Sequence, residues 1–195
     1  MYARTLAAAV GLLACHACAQ DLMHYAWDLN GTGSDTITIG PGEPVDLALW
    51  VTWEPDEYTF AGSLYDILGR RNWETGTVSD RINWIDELST GPGELQPNND
   101  ILGIVSCVLP ACFGSPVYHS PALLYSLRWT PDDYTRRTVR VEEVVTEGNW
   151  LYTDPFGNSV EYGVDPSGGA TIHIVPTPAT LAVTLLGLPL ARRRR

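Results

Sequence analysis

Lysine is absent from this 195-residue chain: all 12 basic residues are arginine, set against 23 Asp and Glu. Five of those arginines, Arg4 and Arg192 to Arg195, fall in the terminal segments, leaving seven in the body against all 23 acids, a net charge of −16. A body this acidic repels phosphate backbones and offers no basic stripe, so nucleic acid is excluded as a partner. Cysteine is scarce, with four in the whole chain. The only pair in the body, Cys107 and Cys112, lacks the CxxC spacing of a redox site, and His24, His119 and His173 are too scattered to complete a zinc site. There is no GxSxG run, which removes the nucleophile elbow of a serine hydrolase; His119 and Ser120 do not become base and nucleophile by adjacency. Charged residues are only 18% and hydrophobic ones 45%, a balance that excludes disorder and predicts one folded domain.

Both ends read as addresses. Arg4, the apolar stretch Leu6 to Ala14 and the small residues Ala17 and Ala19 form a secretory signal, a helix over 1–19 cut before Gln20. Leu12-Leu13-Ala14-Cys15 resembles a bacterial lipobox, which would make Cys15 a lipidation site and anchor the chain. At the other end, Val175-Pro176-Thr177-Pro178 precedes an apolar stretch to Ala191 and then Arg192, Arg193, Arg194 and Arg195. This order resembles the PEP-CTERM sorting signal of exported bacterial proteins, with Pro176 and Pro178 in the two proline places and Thr177 where the family usually has Glu. The resemblance covers residues 176–195 and implies processing by an exosortase-like enzyme after a signal peptidase has acted. As a helix, 179–191 is roughly 20 Å long against a hydrocarbon core of about 30 Å, so it predicts transient membrane contact rather than a permanent transmembrane helix. The arginines would hold the cytoplasmic side during export.

Between the signals, residues 20–175 show period-two apolar spacing or short apolar runs, bounded by Gly, Pro, Asn and Asp turns. Nine strands are expected, at 36–39, 45–53, 58–68, 101–106, 122–130, 138–146, 150–153, 159–164 and 170–175. Only 80–88 has helical spacing, with Ile82, Ile85 and Leu88 on one face, and it predicts a short crossover helix. The fold class is all-β, an antiparallel β-sandwich flanked by the signal helix and the C-terminal apolar helix. Pro41-Gly42-Glu43-Pro44 leading into alternating Val45 to Leu49, then Tyr58 to Gly62, and a last strand running into the sorting motif resemble the cohesin-like bodies of many PEP-CTERM proteins. That likeness implies a jelly-roll or cohesin-like sandwich.

Export to an oxidising compartment predicts a disulfide between Cys107 and Cys112, closing the loop around Pro110. Asp28, Asn30 and Asp35 surround two glycines and are candidate calcium ligands, set against a Gly-rich hairpin whose Asp and Asn bond their own backbone. No other cofactor is indicated. Of the seven Trp, Trp53 and Trp73 lie near strand ends and are the candidates for an exposed carbohydrate platform, whereas Trp50, Trp129 and Trp150 sit in apolar strands. Acids are plentiful, at Glu54, Asp56, Glu57, Asp132, Asp133, Glu142 and Glu143, without indicating a pair. The expectation is a non-catalytic exported protein of the cell surface, outer membrane or extracellular matrix, with an extracellular polysaccharide as candidate partner. The alternatives are a carbohydrate-binding module and a secreted hydrolase.

Overall fold

The computed structural model describes residues 22–40, 42–133 and 135–176. The expected signal helix, its cleavage site at Ala17, Ala19 and Gln20, Cys15, and all of the sorting segment except Pro176 lie outside them. Among the described residues, no helix is long and apolar enough to cross a membrane.

Alternation of apolar and polar side chains builds the strands. In β3 (Val45–Thr52), Val45, Leu47, Leu49 and Val51 are buried while the residues between them face outward, the mark of a strand with one face on a core. The same logic gives β1 (Leu22–Leu29), β2 (Thr36–Ile39), β4 (Thr59–Arg71), β5 (Gly76–Asn83) and β6 (Glu94–Leu95). It continues through β7 (Ile101–Cys107), β8 (Ala122–Pro131), β9 (Arg137–Tyr152), β10 (Ser159–Asp165) and β11 (Ala170–Ile174). One layer has the order β5-β8-β3-β1 and the other β6-β7-β4-β9. Strand β10 joins them, antiparallel to the C-terminal end of β9 and parallel to β1. At the N-terminal end of β9, β11 takes the place of β10 and carries β2 on its far side.

The pairing is therefore mixed rather than purely antiparallel, since β1·β10 and β2·β11 are parallel. Both exceptions have one cause. Strands β10 and β11 both run antiparallel to β9, at its two ends, and β1 and β2, joined through the 30–35 turn, lie on their far sides, so each outer pair is parallel. The expected crossover helix is also corrected. Residues 76–83 pair with β8, with a bulge at Asp80 (φ 50°), and 84–89 form an irregular turn. Ile85 is buried while Ile82 and Leu88 are exposed, so the three share no face. The ladder to β8 supplies the backbone partners that a helix would otherwise provide. Residues 138–146 and 150–153, expected as two strands, form one 16-residue strand. Gly148, at φ 136°, sits where the β4·β9 register shifts, a bulge where a turn was expected.

Aromatic and polar side chains share the interior. Trp73 and Trp129 stack with centroids 5.8 Å apart and planes at 13°, and the Trp129 Nε1–H donates to the Trp73 carbonyl at 3.1 Å. Between the layers, the Tyr25 hydroxyl donates to Asn149 Oδ1 at 2.6 Å and lies 2.8 Å from Ser63 Oγ. The buried Glu143 carboxylate accepts from Trp27 Nε1 at 2.8 Å, from the Ser167 amide at 2.7 Å and from the Ser167 hydroxyl at 2.5 Å. A buried charge needs such donors. They fix β1, β9 and the 166–169 loop against one another.

Candidate binding face

The outer surface of the β6-β7-β4-β9 layer carries an apolar groove. Alternation along β4 turns Tyr65 and Ile67 into the core and leaves Leu64, Asp66 and Leu68 outward. Registers of Leu64 with Val105 on β7 and of Gly62 with Trp150 on β9 bring outward apolar side chains from three strands together. With Leu88, Leu109 and Tyr152 they line a groove of about 500 Å³ that presents far more apolar than polar surface. Gly62 forms part of its floor, where an added Cβ would lie 3.6 Å from Cys107 Cβ and 3.8 Å from the Trp150 ring. The Tyr152 hydroxyl donates to the Val108 carbonyl at 2.7 Å and secures the groove wall.

A smaller pocket of about 190 Å³ adjoins the groove across Val108, Leu109 and Tyr152 and is closed by Phe60, Val117 and Pro155. Beside it the tips of two loops leave Phe113 and Phe156 exposed at 75% and 77%. Glu57 and Asp154 reach this pocket. Asp154 is part of a turn: the Asn158 side-chain amide and the backbone N–H groups of Phe156 and Asn158 donate to it and hold its carboxyl below the usual range.

The structure redistributes the residues singled out from sequence. Trp53 and Trp73, the expected sugar platform, are buried at 2% and 0% exposure, with their N–H groups spent on the Tyr58 and Asn99 carbonyls. The polar neighbours of Trp73 suggested a surface position, but the 3₁₀ turn Trp73–Thr75 rotates the ring inward onto Trp129. Trp84 is 49% exposed, and its N–H is taken by Ser126 Oγ. In this structure Cys107 and Cys112 carry free thiols, and the disulfide expected between them stays a proposal for the exported chain. Cys107 faces the groove and Cys112 lies on the exposed 3₁₀ turn Ala111–Phe113. Burial pushes the Cys107 thiol pKa up, and the Asp86 and Glu87 carboxylates add to this against the opposing Leu88 N–H.

The candidate calcium ligands accept hydrogen bonds from nearby groups, two from backbone amides and one from a hydroxyl. Asp28 Oδ1 accepts from Gly33 N, Asn30 Oδ1 from Asp46 N, and Asp35 Oδ1 from the Thr36 hydroxyl. Among the described residues, no group of three or more His, Cys, Asp and Glu is placed to hold a metal. Of the acids considered for hydrolysis, Glu143 is locked inside, Glu142 is bonded to Arg70, and Asp133 to Arg137 and Thr135. Ser120 Oγ accepts the Trp53 amide. The groove residues were missed because none is unusual alone; only the outward phase of β4, β7 and β9 hinted at them.

No family model matches the chain, and no curated protein matches it in sequence. Solved structures do match. The seventh ScaB type I cohesin from Pseudobacteroides cellulosolvens superposes with a TM-score of 0.60 at 8% identity, covering 89% of this chain and 99% of that one. The type I cohesin–dockerin complex Coh-OlpA-Doc918 from Clostridium thermocellum matches with a TM-score of 0.55 at 9% identity, covering 79% and 99%. The cohesin module of a Clostridium perfringens family 33 glycoside hydrolase matches with a TM-score of 0.50 at 10% identity, covering 81% and 100%. The likeness extends through the body and lies in shape rather than sequence: the chain has a cohesin-like, all-β fold.

Proposed function

We propose that this chain is an exported, non-catalytic module that binds another protein through the outer face of β7-β4-β9. One observation carries the reading: a contiguous apolar groove, lined by Leu64, Val105, Leu109, Trp150 and Tyr152, lies open on an outer sheet face of a cohesin-like fold. Apolar surface gathered in this way marks an interaction site. A strongly acidic body keeps the module soluble and repels its own copies. The OlpA match is a complex with a dockerin, which makes dockerin-class modules the first partners to try. Export rests on the 1–19 signal, and sorting on the PEP-CTERM-like 176–195 segment acted on by an exosortase-like enzyme; a mature chain beginning at Gln20 in extracellular fractions, read by intact mass, checks the first of these.

The binding claim is tested by titrating a panel of dockerin modules against the full chain by calorimetry, with Leu64→Glu as the probe. Leu64 is half-buried on the outward side of β4 and outside the buried core, and an unchanged urea midpoint is required of the variant before its affinity is read. A central anchor of this kind carries about 2 kcal/mol or more, equivalent to at least about a 30-fold loss of affinity. Retained affinity in Leu64→Glu, or no binding by any module, overturns the proposal.

A further inference from the structure

The two ends of this sheet face differ in charge. Five of the body's seven arginines, Arg70, Arg71, Arg136, Arg137 and Arg140, line two adjoining troughs of about 410 and 460 Å³. The troughs share Arg71 and Thr138 and lie at the N-terminal end of β9, away from the apolar groove. In a body of net charge −16, this is a concentrated positive site. Arg71 on β4 and Arg140 on β9 are direct cross-strand partners. Like charges so opposed repel, and the carboxylates nearby are already engaged, Glu142 by Arg70 and Asp133 by Arg137.

Donors outnumber acceptors. The guanidinium groups of Arg71 and Arg136 make no hydrogen bond or ion pair with the described residues. Arg140 spends Nη2 on the Gly168 carbonyl at 2.8 Å, which leaves most of its five N–H groups unused. The hydroxyls of Thr38 and Thr171 add further donors at the walls, and Thr138 Oγ1 lies 3.0 Å from His173 Nδ1. A single planar carboxylate would satisfy few of these groups. A tetrahedral oxyanion offers more acceptor atoms and more charge, and guanidinium forks match it with paired bonds.

We infer that the arginine trough binds a soluble ligand carrying two or more linked phosphoryl groups, one in each compartment, with Arg71 between them. The acidic remainder of the body repels an extended polyanion or a broad anionic membrane. A compact ligand inside the trough feels mainly charges within a screening length of about 8–10 Å. Binding also removes the repulsion between Arg71 and Arg140, so the ligand stabilises the fold.

Sodium tripolyphosphate is the probe, titrated into the full chain by calorimetry at about 0.15 M ionic strength, where the screening length is about 8 Å, with a parallel arm of phosphatidylglycerol vesicles. Saturable binding near one per chain is expected, weakened at least about tenfold in R71Q/R140Q. Arg128→Gln, on the other layer and paired with Asp46, should bind as the parent does. Should the double variant fail to fold, Arg136→Gln, exposed and outside the strand ladder, carries the same test. Equal binding by the trough variants, no binding at millimolar tripolyphosphate, or binding confined to the vesicles overturns the inference.

Discussion

Placing one methyl group at Gly76 tests the packing that removes Trp73 from the surface. Gly76 begins β5 with an extended backbone, φ −150°. An added Cβ would lie 2.2 Å from Cε2 and 2.5 Å from Nε1 of Trp129. The Trp129 ring has nowhere to move: it is fully buried, stacked on Trp73 and hydrogen-bonded to the Trp73 carbonyl. Overpacking costs about 1–3 kcal/mol, and a ring held on both sides puts Gly76→Ala at the upper end. The restricted unfolded chain returns about 0.4–1 kcal/mol, leaving a net loss of about 2 kcal/mol. Gly62→Ala is the control. Its Cβ would meet the Ser106 carbonyl at 3.4 Å and Cys107 Cβ at 3.6 Å, ordinary contacts, so stability should stay within about 1 kcal/mol of the parent. Urea unfolding followed by tryptophan fluorescence, with m unchanged, reads both. Equal stability of the two variants refutes the packing argument.

Two further outcomes concern pH. Burial raises the phenol pKa of Tyr25, Tyr65 and Tyr125; the folded state therefore holds these protons more tightly, and the stability this confers is lost as pH rises above the ordinary tyrosine value of about 10. Absorbance near 295 nm should show these phenols ionising only together with unfolding, whereas a smooth titration in the folded protein contradicts their placement. For Asp86, burial opposes ionisation, but the N–H groups of Gly91 and Thr90 and the Thr90 hydroxyl outweigh it and lower the pKa; Asp133, held chiefly by Thr135, and Asp154, held chiefly by Asn158, shift the same way. Their contribution is present above the unfolded carboxylate value and disappears as pH falls below about 4, so the denaturation midpoint should drop there, and less so in Asp86→Asn.

Local alternation made much of the body legible. Val45 to Val51 wrote its strand into the chain because it alternates between core and solvent, and Ala122 to Trp129 does the same on either side of the adjacent buried pair Leu124 and Tyr125. Strand β1 was missed because its apolar residues follow directly on the signal segment, and β5 because Ile82 and Ile85 mimic helical spacing. Neighbouring residues misled the reading of Trp73, whose exposure is decided by Trp129 on another strand. The apolar groove and the arginine trough were invisible for a shared reason. Each is assembled across strands distant in sequence, Leu64 beside Val105 and Arg71 beside Arg140, by registers that no single strand encodes.

Hydrogen exchange read by mass spectrometry, on the full chain with and without a bound dockerin-class partner, tests the binding face most directly. Slowed exchange is expected, confined to peptides spanning 62–68, 101–107 and 148–152, with none in Leu64→Glu at the same partner concentration. Protection instead over the β5-β8-β3 layer, or the same pattern in Leu64→Glu, contradicts it.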